Sequence, residues 1–157
     1  MQGNDDKEFH IRNASRMRVG IVAARFNQAI TGKLLAAAKE ELNKFKVKEK
    51  NIAVLRVAGS IEIPFALQML ARTKKYDCLV ALGAVIKGET PHFDYVCKIA
   101  SEGVLRVMLD YHIPVGFGIL TALHEGQAWA RVKAAGHAVR AALELASLKK
   151  EKHDAPH

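Results

Sequence analysis

The chain has 157 residues, the length of one ordinary domain with a single sizeable core. Half of its residues are hydrophobic and a quarter are charged, which excludes a disordered chain and predicts a globular, soluble protein. The net charge of +8 favours an anionic partner, either a nucleic acid or a small anionic substrate. Acidic residues interrupt the two densest basic runs, Lys44–Lys50 and Lys149–Lys152, so we interpret these runs as solvated helix ends and expect no nucleic-acid partner.

Membrane, disulfide and metal signals are weak. Residues 1–12 are polar and of mixed charge, and no apolar stretch is long enough to span a bilayer, so a cytoplasmic protein without a membrane partner is expected. Cys78 and Cys97 form no CxxC pattern, which predicts two reduced core thiols. The seven histidines are scattered, and no metal site is expected.

Apolar runs rich in Val, Ile and Leu alternate with helical patterns along the chain. The first run, Arg18–Ala24, predicts a buried strand, and apolar residues at steps of three and four predict a helix over Gln28–Phe45. Asn51–Val57 predicts the second strand and Glu62–Thr73 a shorter helix. Asp77–Val85 predicts the third strand.

The second half of the chain continues this alternation. A third helix is expected to begin near Pro91, a residue suited to a first helical turn, and Pro114–Leu120 predicts the fourth strand. The last predicted helix carries an apolar stripe at steps of three and four: Trp129, Val132, Gly136, Val139, Leu143 and Ala146.

The order of elements implies a parallel four-stranded sheet with helices on both faces, a three-layer αβα sandwich, in a single domain over residues 1–157. Residues 1–16 and 148–157 are expected to be mobile ends. Because so small a sheet leaves surface uncovered, subunit association is favoured. Ligands of such sheets bind outside the carboxyl ends of the strands, which selects four segments: residues 25–27, 58–62, 86–92 and 121 onward.

The segment Lys87–Pro91 leaves the third predicted strand and opens a helix. Free N–H groups and the helix dipole favour an anion there, and Gly88 and Thr90 suit a phosphate cradle, although the local pattern by itself favours an ordinary helix cap with a turn glycine. His92 at the helix start is a candidate general acid or base, since a neutral imidazole can exchange a proton near neutral pH. A lone histidine is also often structural.

Two aromatic residues and one arginine complete the candidate constellation. Phe26 follows the first strand, where its ring would stack on a heterocycle or pack in the core. Phe117 lies between two glycines in the fourth strand, which would leave its ring room to project. Arg131 on the last helix would pair with a phosphate or remain a surface arginine.

Read together, four segments are specific enough to indicate a family. In order and spacing they resemble the motifs of the lumazine synthases over roughly Met17–Ala146. The segments are Ala24–Asn27, Arg56–Pro64, Ala81–Tyr95, whose Gly-Glu-Thr-Pro-His-Phe-Asp-Tyr run is the most specific, and Pro114–Thr121. The resemblance implies a flavodoxin-like fold and a transferase of riboflavin biosynthesis. That enzyme condenses 5-amino-6-(D-ribitylamino)uracil with 3,4-dihydroxy-2-butanone 4-phosphate to 6,7-dimethyl-8-ribityllumazine, without cofactor or metal.

The resemblance also implies a role for each matching residue. His92 would be the general acid and base, Phe26 would stack on the pyrimidine, and Phe117 would come from a neighbouring subunit. Three residues would form the phosphate site: Glu89, Thr90 and Arg131. Six more would bind the ribityl chain and the uracil: Ser60, Ile61, Glu62, Ala84, Val85 and Ile86. The family assembles as pentamers or as shells of pentamers, and riboflavin synthase is a candidate partner.

The chain departs from the family pattern at several positions. Ala58 replaces a usual proline and Ile61 a common aromatic, while Leu123–Gly126 differs from the usual acidic-rich version. The segment after Arg131 is shorter than usual, and Lys133 is only a candidate for the family's lysine. Two alternatives to an active transferase therefore stay open: an assembled or flavin-binding scaffold with little catalysis, and a nucleic-acid-binding module motivated by charge alone.

Overall fold

A computed structural model describes residues 10–11 and 13–154 of the chain. Four parallel strands form one sheet in the order β2-β1-β3-β4: β1 (Val19–Ala24), β2 (Ile52–Val57), β3 (Cys78–Ile86) and β4 (Val115–Ala122). The α-helices are α1 (Gln28–Lys44), α2 (Ile63–Arg72), α3 (His92–Asp110), α4 (Glu125–Trp129) and α5 (Ala134–Asp154). The predicted order of strands and helices is confirmed, with boundaries that shift by one or two residues.

Two apolar cores enclose the sheet, one on each face. Leu34 and Leu42 of α1 and Leu143 of α5 are fully buried against one face of β1 and β3. Ile63 and Leu67 of α2 pack on the other face together with α3. The predicted αβα sandwich is therefore confirmed. The two interior strands are β1, whose six residues are all buried, and β3, whereas β2 lies at an edge and is only partly covered.

The glycines of β4 serve a different purpose from the one predicted. A Cβ at Gly116 would lie 2.1 Å from the carbonyl oxygen of Ala138, so this glycine admits the backbone of α5. Side chains alternate along a strand, and Phe117 therefore points to the opposite face, the one covered by α2 and α3. The projection of the Phe117 ring follows from its place on an edge strand and not from its neighbouring glycines.

The chain between β4 and its last described residue also differs from the prediction. The single predicted helix is two helices, because a turn at residues 130–133 separates α4 from α5. The helix α5 then continues to Asp154, although we expected a mobile end from residue 148. Contacts hold this end: the Lys150 ammonium lies 3.4 Å from the Asp77 carboxylate, and Lys149 donates to the backbone carbonyl of His112.

At the other end of the chain, Ala14 is buried in the core although residues 1–16 were expected to be mobile. Within the two predicted mobile ends, residues 1–9, 12 and 155–157 lie outside the described residues.

The two thiols occupy different depths of the α/β core. Cys78 and Cys97 are both free, Cys78 fully buried and Cys97 partly buried. Burial, with the neighbouring Asp77 carboxylate, raises the pKa of the Cys78 thiol to about 12, so the thiol stays protonated. None of the described helices is long and apolar enough to cross a membrane.

Candidate active site at the carboxyl edge of the sheet

A pocket of about 370 Å³ opens where the carboxyl ends of β1, β2 and β3 meet the start of α3. The strand order reverses between β1 and β3, and parallel α/β sheets bind ligands at such a reversal. Thirteen residues line this pocket: Phe26, Gly59, Ser60, Ile61, Glu62, Ala84, Val85, Ile86, Gly88, Thr90, His92, Phe93 and Val96. They come from all three strand ends, which the fold brings together.

Hydrogen bonds fix the residues that follow β1. The backbone N–H of Phe26 donates to the carbonyl of Ala58 over 2.9 Å, which continues the pairing with β2 beyond the strands. Asn27 adopts a left-handed conformation, which asparagine tolerates well, and its Nδ2 donates to the carbonyl of Ala84 over 2.8 Å. The Phe26 ring remains 71% exposed. This exposure favours a stacking surface over the alternative of core packing.

The segment after β2 forms a short 3-10 turn, Ser60–Glu62, which leads directly into α2. Ser60 is buried against β3, and a Cβ at Gly83 would lie only 2.6 Å from the Ser60 hydroxyl. The glycine therefore lets this turn sit on the strand. Ile61 is 40% exposed and faces the pocket, where its side chain is free to contact a ligand.

The segment between β3 and α3 forms the third wall. The backbone N–H of Lys87 donates to the Ala122 carbonyl, so the pairing of β3 with β4 continues to the start of the turn. Nothing lies within 4 Å of a Cβ built at Gly88, so this position faces open space. The Thr90 hydroxyl accepts a hydrogen bond of 3.4 Å from the backbone N–H of His92. The N-cap position of α3 is Pro91 and no side chain caps it, so Thr90 orders the turn just before the helix without being its cap.

His92 is exposed at the first position of α3 and shares the pocket with Gly88 and Thr90. The ring therefore lies outside the core, beside the helix N-terminus that would hold an anion. This arrangement brings one titratable imidazole, an aromatic face and a polar helix start into one cavity. Within the described part of the chain, no group of three or more His, Cys, Asp or Glu residues could hold a metal ion.

Three predicted site residues lie outside the pocket lining. Glu89 is exposed in the turn before α3, and Phe117 is 45% exposed on β4. Arg131 follows α4 and is exposed, and its Nη1 donates to the carbonyl of Gln127 over 3.0 Å. One of the five guanidinium N–H donors is thus engaged, which leaves the others for an anion.

The structure also adds residues that the sequence did not assign to the site. Phe93 and Val96 line the pocket from the first turns of α3 and also pack against the core. Asn27 holds the ends of β1 and β3 together. A residue's side of a helix is predictable from periodicity, but whether that side meets a core or a cavity depends on the neighbouring strands.

The fold and the pocket together define a class. The chain is a doubly wound α/β domain whose small-molecule pocket combines an exposed aromatic ring, a glycine turn at a helix start and a histidine. A sequence profile of the family described as 6,7-dimethyl-8-ribityllumazine synthase matches residues 16–150. The chain belongs to this family, and it is a transferase of riboflavin biosynthesis.

Individual relatives give the same result. The 6,7-dimethyl-8-ribityllumazine synthase of Methylibium petroleiphilum is 47% identical over 136 residues, which cover 86% of this chain and 85% of the relative. That of Paracidovorax citrulli is 47% identical over 137 residues, 87% and 89% of the two chains. The enzyme of a Polaromonas strain is 42% identical over 148 residues and covers 94% of each chain.

Proposed function

We propose that the pocket at the carboxyl edge is where this enzyme condenses 5-amino-6-(D-ribitylamino)uracil with 3,4-dihydroxy-2-butanone 4-phosphate. The observation that carries the proposal is the shared cavity of Phe26, Gly88, Thr90 and His92. A planar pyrimidine has an aromatic face to stack on, and a phosphate has a helix start to rest on. The product is 6,7-dimethyl-8-ribityllumazine, and the reaction releases inorganic phosphate and water.

In this proposal His92 moves the protons of the condensation. The amine of the pyrimidine attacks the ketone carbonyl, and the resulting carbinolamine loses water to give an imine. Phosphate then leaves by elimination, and the enol that remains becomes a second carbonyl. The ribitylamino nitrogen attacks this carbonyl, and a second water is lost as the ring closes. Each of these steps needs a proton at one atom and its removal at another, which an imidazole in either protonation state can supply near neutral pH. Because His92 is exposed in the cavity, it is accessible to both substrates.

The remaining pocket residues have binding roles in the proposal. Ser60, Ile61 and Glu62 hold the ribityl chain, since their turn lines the cavity beside Phe26. The backbone of residues 84–86 contacts the uracil. The Ala84 carbonyl already accepts from Asn27, so its second lone pair is the one available to the ligand.

The phosphate subsite combines the start of α3 with Thr90, Glu89 and Arg131. The backbone N–H groups of the turn and the helix dipole supply the neutral part of this subsite. Arg131 supplies the positive charge, with donors that can engage a phosphate bidentately. Glu89 contributes through its backbone at the turn, because a carboxylate would repel the phosphate.

A homo-oligomer, either a pentamer or a shell of pentamers, completes the proposal. The Phe26 ring is 71% exposed and Phe117 is 45% exposed, so both rings are available to a second chain. In an assembly, Phe117 of one subunit would cover the pocket of the next. The two free thiols support a reducing, cytoplasmic location, and riboflavin synthase is the proposed consumer of the product.

One experiment on the purified protein tests this function. Both substrates are mixed with the protein, lumazine formation is followed optically, and particle mass is measured on the same sample. We expect lumazine from oligomeric particles. Oligomers that form no lumazine would overturn the proposal in favour of an assembled scaffold.

The Arg131→Ala variant tests the phosphate subsite separately. We expect the KM for the butanone phosphate to rise by about tenfold or more, because a charged hydrogen bond to phosphate is lost. An unchanged KM for that substrate would contradict the assignment of Arg131. Lys39→Ala, on α1 and away from the pocket lining, is the matched control.

A further inference from the structure

The segment that carries Arg131 has little structure of its own. The helix α4 has only five residues, Glu125–Trp129, and Arg131 follows it after a single residue. A helix this short is not stable by itself, because its few backbone hydrogen bonds do not offset the unfavourable free energy of helix nucleation. Ala128 is buried and anchors one side of α4, but the conformation of the rest depends on contacts at the ends of the helix.

The imidazole of His124 makes one of these contacts. His124 is the residue that precedes α4, its backbone is extended, and its Nδ1 accepts a hydrogen bond of 3.3 Å from the backbone N–H of Gln127. The same N–H also donates to the backbone carbonyl of His124 over 3.1 Å, so the imidazole shares this donor. This is the geometry of a helix N-cap, which serine, threonine, aspartate or asparagine usually provides. Because Nδ1 is the acceptor, the neutral ring carries its proton on Nε2.

Gln127 connects this cap to Arg131. Its side-chain Oε1 accepts from the backbone N–H of Leu123 over 2.8 Å. Its carbonyl accepts from Nη1 of Arg131 over 3.0 Å. The backbone N–H of Gln127 thus contacts the imidazole at the start of α4, and its backbone carbonyl contacts the guanidinium just after the end of α4. A shift of Gln127 would move the group that orients Arg131.

We propose that His124 is a positioning residue for Arg131: its Nδ1 caps α4 through Gln127 and so fixes the guanidinium that binds the substrate phosphate. The inference rests on the proposed phosphate role of Arg131. His124 itself need not touch the substrate. Its removal should therefore affect the binding of the phosphorylated substrate and leave the chemistry and the pyrimidine site alone.

The same helix contains a link that provides a matched control. Nε1 of Trp129 donates to the Glu125 carboxylate over 3.1 Å, one turn apart on α4. This hydrogen bond stabilises the helix but makes no contact with Gln127 or Arg131. Glu125→Ala therefore removes one side-chain hydrogen bond from α4 without removing the cap.

The test measures kcat and the KM of each substrate. The single variants are His124→Ala, His124→Asn, Glu125→Ala and Arg131→Ala, and the double variant combines Arg131→Ala with His124→Ala. For His124→Ala we expect the KM of the butanone phosphate to rise about fivefold, the factor that corresponds to a typical lost N-cap. The KM of the pyrimidine and kcat should change by less than about twofold. Asparagine at position 124 should restore the KM, because its Oδ1 can accept from Gln127.

The double variant shows whether His124 acts through Arg131. In the Arg131→Ala background, His124→Ala should produce no further rise in the KM of the butanone phosphate. An additive rise would overturn the inference, and so would an equal rise in Glu125→Ala or an unchanged KM in His124→Ala. If Arg131→Ala alone leaves this KM unchanged, the phosphate role of Arg131 fails and the inference fails with it. If Arg131→Ala raises this KM but His124→Ala does not, the inference about His124 fails while the phosphate role of Arg131 stands.

Discussion

The two helical layers of the sandwich cover the sheet equally well but differ in what they leave exposed. Within α1, all of whose residues are described, no large hydrophobic side chain is exposed, and α5 exposes Leu145 and Leu148 near its end. The α2 and α3 layer exposes six: Phe65, Met69, Tyr95, Ile99, Leu105 and Leu109. Several exposed apolar side chains on one layer favour an interaction site there.

The more exposed layer is also the layer beside the pocket. The pocket opens on the same layer, since Phe93 and Val96 of α3 line it. Phe117 projects from β4 on this side of the sheet as well. In the proposed assembly, the α2 and α3 layer would therefore meet a second copy, which would also finish the site, whereas the α1 and α5 layer would stay on the outside of that contact.

Charges on the α2 and α3 layer should have the largest effect. The double variant Phe65→Glu/Leu109→Glu would place two carboxylates in the proposed subunit contact, where burying a charge is costly. We expect sedimentation to show monomers and lumazine formation to fall to background. Ala36→Glu/Ala141→Glu adds the same charges to exposed positions of α1 and α5, and it should keep both assembly and activity. Equal behaviour of the two variants would break the comparison.

The histidine variant should have the next largest effect. His92→Ala removes the proposed acid and base, and kcat should fall about 100-fold or more while the KM values change little. The control is His153→Ala, an exposed histidine on α5, which should be silent. A loss of less than about threefold would remove His92 from the mechanism.

Truncation of one leucine in each layer compares how much each layer contributes to the stability of a single chain. Leu34→Ala on α1 removes a fully buried side chain and should lower the free energy of unfolding by about 2–5 kcal/mol. Leu105→Ala on α3, where the side chain is 49% exposed, should cost less than about 1 kcal/mol. Urea unfolding in the monomeric background of the charge variant measures both without the contribution of assembly. A similar cost at the two positions would mean that Leu105 is already packed within the monomer.

The smallest effect is expected at Ile61. Ile61→Phe restores an aromatic ring beside Phe26 and should lower the KM of the pyrimidine by about threefold. Val54→Phe enlarges an exposed side chain of β2 outside the pocket lining and serves as the control. A KM that rises in Ile61→Phe would show that the smaller side chain fits the substrate better.

Much of the fold could be predicted because parallel strands covered on both faces and amphipathic helices give clear periodic patterns. The break between α4 and α5 could not, since the helical spacing of apolar residues continues from Trp129 through Val132. The sequence suggested that the glycines beside Phe117 leave room for its ring. Only the tertiary structure shows that Gly116 instead makes room for the backbone of α5. The same limit applies to the ordered end of α5, which depends on the contact of Lys150 with Asp77.

For the candidate site, the sequence indicated which segments meet, because the carboxyl ends of parallel strands share one edge. Nine of the twelve residues predicted for the site line one pocket, and the other three, Glu89, Phe117 and Arg131, lie outside its lining. The side-chain contact of Asn27 with Ala84 was not predictable, since it depends on the register of β1 and β3.

Subunit complementation tests most directly whether a second chain finishes the site. His92→Ala and Phe117→Ala chains carrying different affinity tags are expressed together, and mixed oligomers are isolated through both tags. If Phe117 comes from the neighbour, some interfaces pair an intact His92 with an intact Phe117, and lumazine formation should exceed that of His92→Ala alone by at least about tenfold and that of Phe117→Ala alone by about twofold or more. Mixed oligomers no more active than the better of the two variants would contradict the account, because each chain would then depend on its own Phe117.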